Sequence, residues 1–564
     1  MYHQTNPTEI FRERQLALLK EVEGRRLARR LNTGQLPKKW SRTATALSIL
    51  AVLVVVATLL MISAAGPAHA DGETIIKVNS TSDKGDAGPI GICNTGPIVL
   101  GTQPECTLRA AIQESNATPE KEIIAFDIPS TDSNCDASTH LCTIFPGAIL
   151  PPITQPAVIN GYSQPGSSFN TLAVGDNAVL EIELDGSRAA GGTSIRGLEI
   201  RNSSDSLIRG LVIDGFSGNG IVISGDTSSG PTIAFNNRIE GNFIGTDPSG
   251  TQDLGNGSSG VAIGAGSFNT VVGGTSPIER NLISGNGVRG VNILSGSAAT
   301  KVEGNYIGTD RSGKIDLGNT GSGVVAEGSD NNTVGGATAG AGNLVSGNGG
   351  NGVGLLGSNN KVLGNRIGTT ASGTGPLGND QVGLALVSTV DTVVGDGTSE
   401  GANTIAFNSA DGVEITGGLS TGNAISRNSV FSNGRLGIDL FGGAQDAAGN
   451  TANDPGDVDA GPNGLQNKPA IISAKKSATG RTLIRSKLSS ALARAFKVQF
   501  YASPSGNEGK RFIGEKAVTT DSSSGSVSFK FSAKGVALGQ KITATATGLD
   551  GTSEVSAPKK VVRP

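Results

Sequence analysis

A chain of 564 residues with 84 glycines and only 16% charged residues is long enough for several domains and too rich in turn formers for a helical bundle or coiled coil. Its formal charge of −3 hides three segments: ten Lys and Arg against four Asp and Glu in residues 1–42, eighteen against thirty-nine in 71–467, and seventeen against five in 468–564. An acidic centre and a basic end without interleaved aromatics argue against a nucleic-acid partner, and none is expected.

Residues 1–42 read as a basic cytoplasmic head, with Ile10, Leu16, Leu19, Val22 and Leu27 at helical spacing and Trp40 inside PKKWSR. From Thr43 to Ala65 there is no charge, a length that crosses a hydrocarbon core, and the basic flank predicts the N-terminus inside. The stretch closes on Ala68-His69-Ala70, a small-x-small cleavage pattern. Residues 43–70 are therefore either a signal peptide cut after Ala70 or, uncleaved, a single-pass membrane anchor through residues 43–65. In both readings the rest of the chain is extracellular or at the cell surface.

All four cysteines, Cys93, Cys106, Cys135 and Cys142, lie in the segment 71–177. An even number in an exported segment predicts disulfides, and sequential pairing closes two short loops. A zinc site is disfavoured, because there is no CxxC pair and only His140 is near. In CTLRAAIQESNA, Thr107 can cap a helix whose Leu108, Ala111 and Ile112 make an apolar face. Such a helix can plug the end of a stack of strands.

C-T-L-R-x-A-I resembles the CSLREA-type motif at the start of exported bacterial right-handed parallel β-helix proteins of pectate-lyase-like fold. Ala110 stands where that family usually has Glu, which removes the return bond of a capping box. The resemblance continues through LPPITQPAVINGYSQPG (Leu150 to Gly166) and the repeats that follow. It implies fold and export, and no single activity.

Residues 178–450 are predicted to form the solenoid. GNFIGTDPSG at Gly241 returns as GNYIGTDRSG at Gly304 and GNRIGTTASG at Gly364, a period that signals stacked units. Seven times Asn stands two residues before an aliphatic: Asn242, Asn281, Asn305, Asn343, Asn365, Asn403 and Asn428. From that aliphatic to the next strand start (Val261, Val291, Val324, Val353, Leu384, Val413, Ile438) the distances are 17, 8, 17, 8, 17, 8 and 8. Plain coils thus alternate with coils carrying a nine-residue insertion. The asparagines are expected to stack as a structural ladder rather than act as a catalytic row. In the inserted loops Asp247 and Asp253 are matched by Asp310 and Asp316, then by Thr370 and Pro376. These aspartates either close local turns or line a ligand groove.

Residues 451–467 form an acidic junction in which Asn453, Asp454, Asp457, Asp459 and Asn463 offer hard oxygen ligands between glycines, a pattern that suits calcium. In residues 468–564 the alternation of Phe496, Val498 and Phe500, and of Val527, Phe529 and Phe531, predicts a β-sandwich similar to the immunoglobulin-like modules that follow such β-helices. Its positive charge suits anionic wall polymers, or simply solvates the module beside an acidic partner.

Polygalacturonase chemistry needs paired carboxylates in N-T-D, D-D and G-H-G motifs, none of which is present. A lyase could use Arg280, Arg289, Arg311 or Arg366, which do not cluster with acids in the sequence. The reading is an exported or surface-anchored, non-catalytic protein that contacts a polysaccharide or cell-wall polymer. The alternative is a polysaccharide lyase or glycoside hydrolase on the same scaffold.

Overall fold

Short aliphatic runs separated by Asn and Gly cannot build long strands, but wound onward they stack, and the chain takes that solution. A computed structural model describes residues 74–564 apart from 89–90, 97–102, 193, 226–232, 448 and 507. The basic head, the uncharged stretch and Ala70 lie outside the described residues. Among the described residues no helix is long and apolar enough to cross a membrane.

The protein is a right-handed parallel β-helix followed by a β-sandwich. Each coil gives one short strand to each of three parallel sheets, here A, B and C, of eleven, ten and nine strands. One coil runs Arg238–Glu240 in A, Phe243–Ile244 in B and Val261–Ile263 in C before re-entering A at Val271–Gly273. The in-register rows Ile239, Val272, Val302 in A, Ile244, Ile283, Ile307 in B and Ile263, Ile293, Ala326 in C all point inward and are fully buried. Each Val or Ile among them contributes about 1.5–3 kcal/mol of burial, and Ala326 less.

Seen from sheet A, the coils have nearly constant length. Ile239, Val272, Val302, Val334, Val362 and Val394 occupy one row, so successive coils take 33, 30, 32, 28 and 32 residues. The alternation of plain and inserted coils is a property of the corner chosen for counting. Coils with the long B-to-C loop have a short A-to-B turn, as from Ile239 to Ile244. The others have a longer A-to-B turn, as from Val272 to Ile283. From the coil at Ile239 to that at Val394 each carries one insertion, at alternate corners, and the last coil, Ile425 to Ile438, carries none.

The seven asparagines Asn242, Asn281, Asn305, Asn343, Asn365, Asn403 and Asn428 stack at the A-to-B corner. Each Nδ2 donates to the next Oδ1 at 2.8–3.1 Å. A second row, Asn256, Asn286, Asn319, Asn348, Asn379, Asn408 and Asn433, does the same at the B-to-C corner at 2.9–3.0 Å. Both rows are buried except for the half-buried end member Asn433, so their amides answer polar groups that the bends would leave unpaired.

Both ends are closed. At the N-terminal end the helix Leu108–Ser115, with Thr107 accepting from Ala110 N at 3.1 Å, packs Leu108, Ala111 and Ile112 into the core. Cys93–Cys106 and Cys135–Cys142 are disulfides, the sequential pairing. At the other end sits the sandwich, with antiparallel sheets of three strands (Ala470–Lys476, Thr482–Ser489, Ser526–Ala533) and four (Ala495–Ser503, Arg511–Thr519, Lys541–Thr547, Lys559–Lys560). Its loops pair with the last coil: Gly422 N donates to Asp550 O, Thr552 N to Asn423 O and Val430 N to Gly509 O. Glu508 Oε1 accepts from Asn433 Nδ2 and ends the second ladder. The β-sandwich module is thus the C-terminal cap.

Candidate ligand-binding faces

Sheet B turns out a row of large side chains, Phe243, Leu282, Tyr306 and Leu344, that form their own buried cluster. A strap, residues 170–178, lies over it. Arg280 donates to the carbonyls of Leu172, Ala173 and Gly175, and its guanidinium lies 4.5 Å from the centre of the Tyr306 ring. Arg311 donates to Asp176 O at 2.7 Å and Ala178 O at 2.8 Å. Two of the four arginines considered for lyase chemistry are therefore clamps holding a cover. Arg289 pairs with Glu327 at 2.6 Å, and Arg366 sits exposed on its sheet B strand.

The inserted loops lean over the same sheet and bond to one another, Arg311 N to Gly250 O and Ala371 N to Gly313 O. Their four aspartates divide into two kinds. Asp247 accepts from the amides of Ser249, Thr251 and Gln252, and Asp310 from those of Lys314 and Ile315. Burial raises both carboxyls, but these bonds outweigh it and hold them below the usual range, so both are turn residues. Asp253 and Asp316, both pushed up by burial, line a recess of about 390 Å³ with Asp380, and Asp316 also accepts from Gly318 N at 2.9 Å. Pro376 takes the corresponding place in the third loop.

Sheet C is different. Its outward row, in register, reads Glu199, Val222, Ala262, Asn292, Val325, Gly354, Ala385, Glu414 and Asp439, short side chains between acidic ends. Glu199 is paired with Arg196 and Arg201. At the far end Asp411, Glu414 and Asp439 each bring a carboxylate oxygen within 4.8 Å of the others. Asp411 accepts from Leu436 N at 2.7 Å and Asp439 from Gln445 Nε2 at 3.2 Å. Burial, with Asp411, Glu554 and Glu414 adding repulsion, pushes Asp439 up to about 7; Asp411 and Glu414 are also raised, first by burial. Sequence reasoning missed this trio. Its signal was an acid at the middle of two successive sheet C strands, Glu414 and Asp439, where the five coils before them have Ala, Asn, Val, Gly and Ala.

At the junction Asp454, Asp457 and Asp459 converge in the same way. Asp457 is pushed up to about 6, mainly by burial, and Asp459 Oδ1 is buried without a hydrogen bond. The two asparagines grouped with them face elsewhere. Asn453 bonds both backbone groups of Lys468. Asn463, fully buried, is the terminal member of a third, shorter ladder, bonded to Asn423 and to Thr552 O. Both side-chain amides are engaged in these contacts, and the three aspartates alone converge.

No family model matches the chain, and no curated protein matches it. Solved structures do. The periplasmic alginate epimerase AlgG is similar with a TM-score of 0.35 and 14% identity, over 59% of this chain and 79% of that one. The Azotobacter vinelandii mannuronan C-5 epimerase AlgE6 A-module has the same TM-score and identity, over 59% and 84%. Tailspike protein 2 of Escherichia coli O157:H7 bacteriophage CAB120 follows at 0.28 and 11%, over 78% and 63%. At such identities the likeness is one of architecture and assigns no activity.

Proposed function

We propose that this protein is exported and lays a polysaccharide chain along the outer face of sheet C, as a non-catalytic surface or cell-wall contact. One observation carries the reading: sheet B is covered by its strap and loops, whereas the outward row of sheet C is built of short, largely buried side chains, Ala262, Val325 and Ala385, with room for a further side chain above Gly354. Strands stacked about 4.8 Å apart give an extended polymer a repeated contact at every coil. The test is affinity electrophoresis against a panel of neutral and acidic polysaccharides, repeated with Gly354→Trp. A Cβ at Gly354 would meet only Val325 Cγ2 at 3.8 Å, so the variant fills the trough without straining the backbone. Binding to one polymer, weakened about tenfold or more in the variant, is expected; undiminished binding overturns the assignment to sheet C.

The carboxyl trio favours a second reading, a glycan-cleaving enzyme. A carboxyl that titrates near 7 is poised to donate a proton to a leaving oxygen, and a neighbouring carboxylate can activate water. Reducing ends released by the wild type and lost in Asp439→Asn would establish it.

Export is supported by the two disulfides, which persist in oxidising compartments, and by the cap motif from Cys106 to Ile112. Mass spectrometry of the mature N-terminus separates the two topologies: a start at Asp71 means secretion, and an intact head means an anchor. Calcium at the junction is proposed on Asp454, Asp457 and Asp459, whose oxygens suit a hard cation. Calcium should raise the melting temperature of the wild type and not that of Asp459→Asn; equal shifts would remove the site.

A further inference from the structure

The sandwich has one face that its role as a cap leaves unexplained. Its three-stranded sheet, Ala470–Lys476, Thr482–Ser489 and Ser526–Ala533, contains no Asp or Glu. The inner residues Ile484, Leu488 and Phe529 are buried in the core of the module. The outer ones include Lys475, Arg485, Lys487 and Lys530, all exposed. Arg485 stands directly opposite Lys530 across the strands, and Lys516 reaches from the neighbouring strand to donate to Lys530 O at 3.0 Å.

Like charges placed directly opposite in a sheet destabilise it, and among the described residues Lys475, Arg485, Lys487 and Lys530 form no ion pair with a carboxylate. Glu508 is taken by Asn433, Glu554 by Lys468 and Glu515 by Gln499. Asp521 is bonded to Ser523 and Ser524 of its own turn. The remaining one, Asp550, lies on the loop that docks to the last coil. The cations are therefore left facing outward as a group.

We propose that this face of the sandwich is a docking surface for a linear acidic polysaccharide, one bearing a carboxylate on successive sugar units. Cations on neighbouring strands stand about 5 Å apart and those two residues apart on one strand about 7 Å, a spacing of the order of one sugar unit. The exposed hydroxyls of Ser528 and Ser532 lie in the same sheet face, opposite Lys487 and Leu483, and suit a hydroxyl-rich chain. Base stacking, the usual companion of charge in single-stranded nucleic-acid binding, has no exposed aromatic ring on these strands to use. The solenoid is acidic over 71–467, so it repels such a polymer and leaves the basic face as its place of contact. This site is independent of the sheet C trough.

The experiment uses the full chain and polygalacturonate as probe, with binding followed by calorimetry at two salt concentrations. Expected is binding that weakens several-fold when salt rises from about 50 to 200 mM. The triple variant Arg485→Ser/Lys487→Ser/Lys530→Ser should bind about tenfold or more weakly. The double variant Lys559→Ser/Lys560→Ser, which removes charge from the other sheet, should bind like the wild type. The Gly354→Trp chain should also keep its polygalacturonate affinity, which separates this site from the trough. No binding, equal losses in the triple and double variants, or loss in Gly354→Trp would each overturn the proposal. So would tighter binding to anionic phospholipid vesicles or single-stranded DNA through the same three residues, since that would assign the face to a different partner.

Discussion

Asp214 shows at one residue how the fold sets chemistry apart from sequence. It lies on sheet B in register with Asp185, is 2% exposed, and its Oδ2 has no hydrogen bond. Burial, aided by Glu183, Asp185 and Asp247, pushes its carboxyl up to about 8. With a folded value above the unfolded one, the native state holds a proton that the unfolded chain has lost. Stability therefore falls as pH rises from about 4 to about 8 and is level above that. Asp214→Asn should flatten this slope and raise the melting temperature at pH 8, measured by thermal unfolding across the range; a variant with an unchanged slope would contradict it. The ladder residues should behave oppositely. Asn305→Ala leaves the backbone amide of Asn281 and the carbonyls of Val272 and Glu303 short of partners, for a loss of about 1–3 kcal/mol in chemical denaturation.

The elements show what was legible in the sequence and what was not. The first asparagine row and the inward aliphatics could be read because the repeat keeps them at fixed distances. The second row was equally present, in SGNG and LGN, but it pairs residues about thirty apart, and only a coil register reveals that. The strap over sheet B could not be read at all, since residues 170–178 have no repeat and meet Arg280 and Arg311 more than 100 positions later. Arg280 and Arg311 looked available for chemistry for the same reason. Glu414 and Asp439 became neighbours only through strand pairing. Among the inward rows, Ile307→Ala opens a cavity where the walls are held by strands on both sides. About 2–5 kcal/mol of destabilisation is expected, measured by urea unfolding.

For the whole molecule, closure of both ends matters more than any single coil. A stack of parallel strands with a bare last turn offers a template to any other chain. The helix Leu108–Ser115 blocks one end, and the sandwich, through Asp550, Thr552, Gly509 and Glu508, blocks the other. Deleting residues 468–564 should give a chain that associates at concentrations where the intact one stays dispersed, as read by light scattering. The charge division of the sequence thus carried more meaning than its apparent domain boundary, which the structure spans with backbone hydrogen bonds.

The alternation of insertions between two corners has a last consequence, for how such a rod can change length. The first two B-to-C loops each span the height of two coils, because Gly250 presses on Leu282 of the next turn and its carbonyl bonds Arg311 of the turn after that, as Gly313 does with Leu344 and Ala371. At the A-to-B corner Gly340 packs against Thr275 in the same two-turn stride. A single added turn would bring two loops to one level at one corner and leave the other corner bare. Within the run from Ile239 to Val394 turns are therefore best gained or lost in pairs, in steps of about 10 Å along the axis, whereas the uninserted last turn, Ile425 to Ile438, shows that a turn at the end does without a loop.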